Sequence, residues 1–345
     1  MNIIETTKKN LQTSQYDFLR TNPHLGNNII LLGFGGSIAY GTNTKDSDVD
    51  LRGIALNSKN DLLGMTDGFE QVVDNTTDTV IYSFNKIVKL LTNLNPNTCE
   101  LLGLKSEHYL YLSPIGQELI DNRKLFLSKK AVQSFGGYAF SQLRRLDNKS
   151  ARTLEQAEKE QHILNSITTA RYGWPDKYKC FGEGDFVNLY LDKSERLDMD
   201  KEIFMDIHLT HYPLRDYKSM WSDMKNVVYE YSKIGHRNQN AIEHGKLGKH
   251  MMHLIRLYLM CIDILEKEEI ITYREQDIDY LLHFRYGKYL DENGLPIEGF
   301  YELVDHFEKR MTYAAENSSL PSKPDYDKIN EFLMSVNERV VKDEI

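Results

Sequence analysis

The chain has 345 residues, which at about 150 residues per domain predicts two domains. It contains 42 Lys and Arg against 51 Asp and Glu, a formal net charge of −9, with 41% apolar and 27% charged residues. This composition argues against disordered, collagen-like and coiled-coil proteins. The net acidity also argues against wholesale non-specific binding of nucleic acid, which requires a surplus of basic charge.

Neither a disulfide framework nor membrane insertion is indicated. The three cysteines, Cys99, Cys180 and Cys261, lie far apart along the chain, whereas a disulfide framework uses an even number of cysteines. The N-terminus lacks the apolar stretch of a secretory signal. No apolar stretch reaches the 18 or so uncharged residues of a membrane helix. We therefore predict a soluble, cytoplasmic protein.

The first 125 residues mix strand-like runs with turns. Short runs rich in branched apolar residues predict strands, and apolar residues at helical spacing before Asn95-Pro96 predict a helix. The predicted strands are residues 28–32, 48–56, 70–73 and 79–84, and the helix is 85–94.

From about residue 128 the pattern becomes helical. Apolar residues recur there with the helical period. The predicted helices are residues 131–146, 155–172, 221–234, 246–267 and 299–316, with one short helix after a surface segment at 321–324. These patterns predict an N-terminal module of strands and helices over residues 1–125 and a mostly helical domain over residues 126–345.

The most informative motif lies between two predicted strands. Gly36-Ser37 follows the first strand directly, and Asp48-Val49-Asp50 opens the next. Because strand side chains alternate between faces, Asp48 and Asp50 are expected on one face of the sheet. Neighbouring carboxylates repel one another unless a cation lies between them. Mg²⁺ prefers oxygen ligands, and two such ions can hold the attacking and leaving oxygens of a phosphoryl or nucleotidyl transfer.

The residues around this carboxylate pair fit the same chemistry. Glycine at Gly36 allows the backbone to approach a polyphosphate closely, and Ser37 offers a hydroxyl and backbone N–H groups to the anion. Arg52 lies on the face of Asp48 and Asp50 by the strand period. It can hold a phosphate through two hydrogen bonds or simply neutralise the carboxylates.

Gly36-Ser37 followed eleven residues later by Asp48-x-Asp50 resembles the signature of the DNA polymerase β-type nucleotidyltransferase superfamily. The longer run G-S-x-A-Y-G-T…S-D-x-D-x-R-G is similar to the RlaP (RNA-repair-associated), or YcgL-like, family of predicted nucleotidyltransferases. Two later segments resemble that family as well, N-P-N-x-x-E-L-L at residues 95–102 and K-H-x-x-H-L-I-R-L at residues 249–257. The resemblance implies an α+β fold, with a mixed sheet and flanking helices over residues 1–125, followed by a helical domain over residues 126–345.

The resemblance also implies a third carboxylate that completes the metal site. Asp78, which opens the strand after the turn, is the preferred residue, and Asp74 is the alternative. In this assignment Asp48, Asp50 and Asp78 are the catalytic metal ligands. The expected ions are two Mg²⁺, with Mn²⁺ as a substitute, and Gly36, Ser37 and Arg52 contact the nucleotide.

The helical half contributes a second candidate set. Lys249, His253 and Arg256 share a helix face by the spacing of three and four residues. This face either binds nucleotide or acceptor phosphates, or is a solvated or packed helix surface. Arg144, Arg145 and Arg152 form a basic helix face, the best local candidate for RNA phosphates.

Together these observations predict an enzyme that transfers an NMP from an NTP, preferably ATP, to an acceptor hydroxyl. An RNA end is the preferred acceptor, as the resemblance implies, and a protein hydroxyl is the second choice. The alternative from a different class is an inactive nucleotide-binding or antitoxin-like module. The presence of Asp48, Asp50 and Asp78 argues against it.

Overall fold

The computed structural model describes residues 3–45, 47–65, 68–151, 184–193, 201–235, 244–292 and 294–345. The chain forms two compact units. The first consists of Met1–Gln142, Gly248–Asp291 and Pro296–Ile345, and the second of Leu143–Leu247 and Glu292–Leu295. The first unit thus contains the residues predicted as the nucleotidyltransferase domain together with part of those predicted as the helical domain.

Two sheets are present in the described part of the chain. The first is a mixed five-stranded sheet of order β3-β4-β2-β1-β5, in which β2 and β4 are parallel and the other neighbours antiparallel. The second is the antiparallel hairpin of β6 and β7. The strands are β1 Ile29–Phe34, β2 Leu51–Ala55, β3 Gln71–Asp74, β4 Thr79–Ser83, β5 Tyr109–Leu112, β6 Phe186–Lys193 and β7 Lys201–His208.

Helices flank the five-stranded sheet and make up most of the described residues after residue 113. The α-helices are α1 Ile3–Asn10, α2 Phe18–Thr21, α3 Gly36–Tyr40, α4 Lys59–Leu63, α5 Phe84–Thr92, α6 Pro96–Cys99, α7 Pro114–Asp121, α8 Ala131–Ala151, α9 Leu214–Gly235, α10 His244–Lys267, α11 Ile278–Arg285, α12 Glu298–Asn317 and α13 Tyr326–Val341. Short 3₁₀ turns lie at Ser14–Tyr16, Gly26–Asn28, Glu100–Leu102, Ser106–His108 and Arg123–Phe126. The predicted α+β fold, a mixed sheet with flanking helices followed by a helical region, is confirmed.

Burial explains why β1 is an interior strand of the sheet, between β2 and β5. All six residues of β1 are buried, as expected for a continuous apolar run in the middle of a sheet. Phe34 and Leu51 pair at the end of the β1–β2 ladder, inside a core that also contains Leu32 and Ile81. The ladder therefore ends where the glycine turn begins, which brings that turn next to the start of β2.

Two predictions of local structure need correction, and a third concerns residues outside the described ranges. The strand predicted over residues 48–56 begins only at Leu51, so Asp48 and Asp50 precede it. A hairpin, β6–β7, occurs in the region predicted as helical, because Val187 and Leu189 alternate along β6 and pack against Met220 of α9. The helix predicted over residues 155–172 lies outside the described residues.

The last helix of the chain packs on the N-terminal elements of the first unit. Phe332 of α13 contacts Phe84 edge-to-face at 6.0 Å between ring centroids. Asn337 donates a hydrogen bond to Asn85 Oδ1 at 2.9 Å, and Arg339 pairs with Glu118 at 2.8 Å. These contacts fix α13 against α5 and α7.

Among the residues described, no helix has both the length and the apolar character needed to cross a membrane.

Candidate active site

The glycine turn after β1 makes room for a carboxylate. Gly36 begins α3 with φ +56°, a conformation that favours glycine. A Cβ atom at Gly36 would lie 1.8 Å from Asp50 Oδ2, so the carboxylate fills the space that any other side chain would need. A backbone hydrogen bond holds the glycine turn against the residues before β2, since Gly35 N–H donates to Asp50 O at 2.9 Å. The sequence predicted a glycine for phosphate approach; the structure shows that it also seats Asp50.

Asp50 and Asp78 form a pair of contacting carboxylates. The strands β2 and β4 are parallel neighbours. Asp50 directly precedes β2 and Asp78 directly precedes β4, so both residues lie at the same end of the sheet. Burial, then the hydrogen bond and charge of Asp78, raise the pKa of Asp50 to about 6, against the opposing charge of Arg52. The hydrogen bond with Asp50 lowers the pKa of Asp78. Asp78 has φ +44°, an uncommon conformation for a non-glycine residue.

Arg52 binds this pair from β2. Its Nη1 donates to Asp78 O at 2.7 Å and to Leu51 O at 2.8 Å. Its Nη2 lies 3.2 Å from Asp78 Oδ1 and 3.6 Å from Asp50 Oδ1. With both terminal nitrogens engaged, these contacts favour the neutralising alternative over direct phosphate binding, and the role of Arg52 in nucleotide binding stays a prediction.

Asp74, the alternative third carboxylate, has a different local role. Its Oδ1 accepts hydrogen bonds from the backbone N–H and the hydroxyl groups of Thr76 and Thr77, at 2.6–3.1 Å. These bonds close the turn between β3 and β4, a common use of aspartate in hairpins. Of the two candidates, Asp78 is the one in contact with Asp50.

The residues present fit a hard cation in their chemistry, although they are not gathered into one cluster. Asp50 and Asp78 offer carboxylate oxygens whose mutual repulsion a divalent cation relieves. Asp48 is exposed in the loop before β2. Across the described ranges, no three His, Cys, Asp or Glu side chains form a group that could hold a metal ion. Metal binding by Asp48, Asp50 and Asp78 therefore stays a prediction.

Ser37 occupies the second position of α3. It is half-buried, and its carbonyl accepts a hydrogen bond from Thr42 N–H at 2.9 Å. This bond turns the chain at the end of α3, directly before the loop that leads to Asp48. Ser37 thus lies one residue from the glycine that seats Asp50, and its predicted contact with phosphate stays a prediction.

Glu100 is not among the predicted site residues, yet it is buried close to the glycine turn. Its Oε2 accepts a hydrogen bond of 2.6 Å from the Tyr40 hydroxyl, and its Oε1 lies 3.4 Å from the Cβ position of Gly35. Burial raises the pKa of Glu100, against the Tyr40 hydrogen bond and the charges of Arg256 and Arg52. The signal was present, because Tyr40 and Glu100 both belong to the motifs that carry the family resemblance.

The candidate face on α10 is partly buried. Arg256 is only 8% exposed, lies 3.5 Å from the Tyr40 ring centroid and contacts His253 Nδ1 through Nη2. His253 is half-buried and packs edge-to-face on Tyr138, whereas Lys249 is exposed. Arg256 therefore packs against the Tyr40–Glu100 pair, so this part of the helix face is packed and not solvated. The predicted nucleotide contacts of these three residues stay predictions, and the side chains of Arg144, Arg145 and Arg152 lie outside the description.

Comparison with known proteins identifies one family. Residues 7–169 match the family model of RlaP, the RNA repair pathway DNA polymerase beta family. No curated protein and no solved structure matches the chain. The match covers the glycine turn, the three aspartates and Glu100, but not α10, and it confirms the resemblance predicted from the sequence.

Proposed function

On the premise that residues 7–169 belong to the RNA repair pathway DNA polymerase beta family, we propose that the protein is a Mg²⁺-dependent nucleotidyltransferase. It transfers an NMP from an NTP, preferably ATP, to a hydroxyl at an RNA end. The observation that carries this proposal is the Asp50–Asp78 carboxylate pair held by Arg52, in which Asp50 fills the space beside Gly36 where no other side chain fits.

In the proposed reaction the acceptor hydroxyl oxygen bonds to the α-phosphorus of the NTP. The bond between that phosphorus and the oxygen bridging to the β-phosphate breaks, and pyrophosphate leaves. Asp48, Asp50 and Asp78 would hold the Mg²⁺ ions. Bound there, the ions would stabilise the negative charge that develops on the attacking and leaving oxygens.

The side chains of this protein supply position and proton transfer. Asp78, more exposed than Asp50, with 56% against 22% of its side chain accessible, is the carboxylate that can reach an incoming acceptor and accept its proton. Arg52 keeps the two carboxylates close together despite their repulsion. Ser37 and the turn at Gly36 contact the phosphates of the nucleotide.

The test is transfer of label from α-³²P-ATP, with Mg²⁺, to an RNA oligonucleotide in the presence of total cell protein. The wild-type chain is expected to label the RNA and release pyrophosphate, and EDTA to stop the reaction. Asp50→Asn and Asp78→Asn should be inactive. Asp74→Asn, a matched acidic residue four positions from Asp78, should retain activity.

Other outcomes separate the alternatives. Label on protein instead of RNA would replace the RNA acceptor by a protein hydroxyl. Absence of turnover with any NTP, combined with ATP binding, would identify a binding module. Full activity of Asp50→Asn would refute the proposed site itself.

A further inference from the structure

Residues 273–285 hold the loop that carries Asp48. The loop over residues 41–50 connects α3 to β2 and contains no helix or strand among its described residues. An irregular loop of this length must lose conformational entropy before it can present a side chain in one place. The elements that restrain it are therefore part of the site.

Contacts with residues 273–285 provide that restraint. Arg274 N–H donates to Tyr40 O at 3.2 Å, just before the loop. Gly41, with φ +77°, is packed so closely that a Cβ would lie 2.8 Å from the Tyr273 ring and 2.9 Å from Ile278 Cδ1. The first residue of the loop is thus fixed against α11 and the segment that precedes it.

Arg285, at the end of α11, binds the middle of the loop. Its Nη1 donates to Thr42 O at 2.8 Å and its Nη2 donates to Thr44 Oγ1 at 3.1 Å. Thr44 is in turn tied to Ser47, because Thr44 N–H donates to Ser47 Oγ at 2.8 Å and Ser47 N–H donates to Thr44 O at 3.1 Å. A continuous set of hydrogen bonds therefore runs from Arg285 to the residue directly before Asp48.

We propose that Arg285 is a positioning residue of the active site, acting through Thr44 and Ser47 to restrain the loop that carries Asp48, a predicted metal ligand. The planar guanidinium is suited to this role, since one side chain reaches two acceptors in fixed geometry, which the single ammonium of lysine does not. The segment over residues 273–285 is then part of the catalytic unit, although it is more than 220 residues from the loop in sequence. This inference rests on the proposed function, because it concerns the same metal site.

The test measures the loop and the metal separately in the full-length chain. Hydrogen exchange of the amides between residues 42 and 50 reports on the loop, and calorimetric titration with Mn²⁺ alone reports on the metal. In Arg285→Ala the loop amides should exchange faster. Mn²⁺ affinity should fall about tenfold, the lower end of the effect of removing a partner that orients metal ligands.

Two further variants and one control sharpen this comparison. Arg285→Lys should recover part of the Mn²⁺ affinity. Thr44→Val removes the hydroxyl that accepts from Arg285 and that lies 3.3 Å from Ser47 Oγ, and its effect should be smaller in the Arg285→Ala background, as expected for residues that share a contact. Arg310→Ala, which removes a surface pair with Glu266, should leave loop exchange and Mn²⁺ affinity unchanged.

The failures of the two proposals can be distinguished. A wild-type chain that does not bind Mn²⁺, or binds it equally well as Asp50→Asn, refutes the proposed metal site. Mn²⁺ binding that Asp50→Asn abolishes and Arg285→Ala leaves unchanged refutes the positioning role of Arg285 alone. Unchanged loop exchange in both Arg285→Ala and Thr44→Val also refutes that role.

Discussion

Substitution of Gly36 by alanine should separate stability from activity. The new Cβ would lie 1.8 Å from Asp50 Oδ2, and real Cβ atoms essentially never approach within 3.0 Å of another heavy atom. The carboxylate must therefore move by at least about 1 Å, and a displacement of that size can reduce a rate about 100-fold. Because the displaced atoms are the mobile end of one side chain, the fold itself should survive.

The cost in stability comes mainly from the backbone. Alanine in the left-handed conformation of Gly36, with φ +56°, should lower the free energy of unfolding by about 1–2 kcal/mol. Gly68 is the matched control, since it has φ +74° and nothing within 4 Å of its Cβ position. Gly68→Ala should cost a similar amount of stability without changing activity or Mn²⁺ affinity.

Urea denaturation and ATP-transfer assays of both variants test this reasoning. Gly36→Ala should resemble Gly68→Ala in stability, while its rate of transfer should fall about 100-fold. Wild-type transfer by Gly36→Ala would refute the argument, because it would mean that Asp50 is not needed where the structure places it.

Three further predictions concern the pair Asp74 and Asp78, then Glu100, and then Arg256. Asp74→Ala should lower the melting temperature modestly and leave transfer intact. Asp78→Asn should abolish transfer and leave the melting temperature unchanged. Loss of transfer in Asp74→Ala would mean that Asp74, and not Asp78, is the third carboxylate. Glu100→Ala should lower the free energy of unfolding by about 1–3 kcal/mol, because it leaves the Tyr40 hydroxyl buried without its acceptor. Glu100→Gln, which keeps an acceptor, should cost less, and equal costs in urea denaturation would contradict this. Arg256→Ala should lower the free energy of unfolding by about 2 kcal/mol, because the buried contact with the Tyr40 ring is lost. An unchanged melting curve would show that this contact does not stabilise the fold.

The sequence by itself pointed to the residues on which the proposed chemistry depends. Gly36 and Asp50 are recognisable because a glycine beside a buried strand and a carboxylate in an apolar setting are costly without a purpose, whereas Asp78 was assigned by the family resemblance, with Asp74 as the alternative. Local patterns also predicted the four strands β1 to β4 and the long helices, since apolar periodicity is a property of neighbouring residues. The family resemblance rested on the same short segments.

Only the tertiary structure decided which residues support the site. The contacts of Glu100 with Tyr40, and of Arg285 with Thr42 and Thr44, join residues 60 to 243 positions apart. Such pairs leave no periodic signal in a single sequence, because they arise from the packing of distant elements. The choice between Asp74 and Asp78 was likewise a tertiary matter. Both flank the same turn, and only the parallel pairing of β2 with β4 brings Asp78 to Asp50.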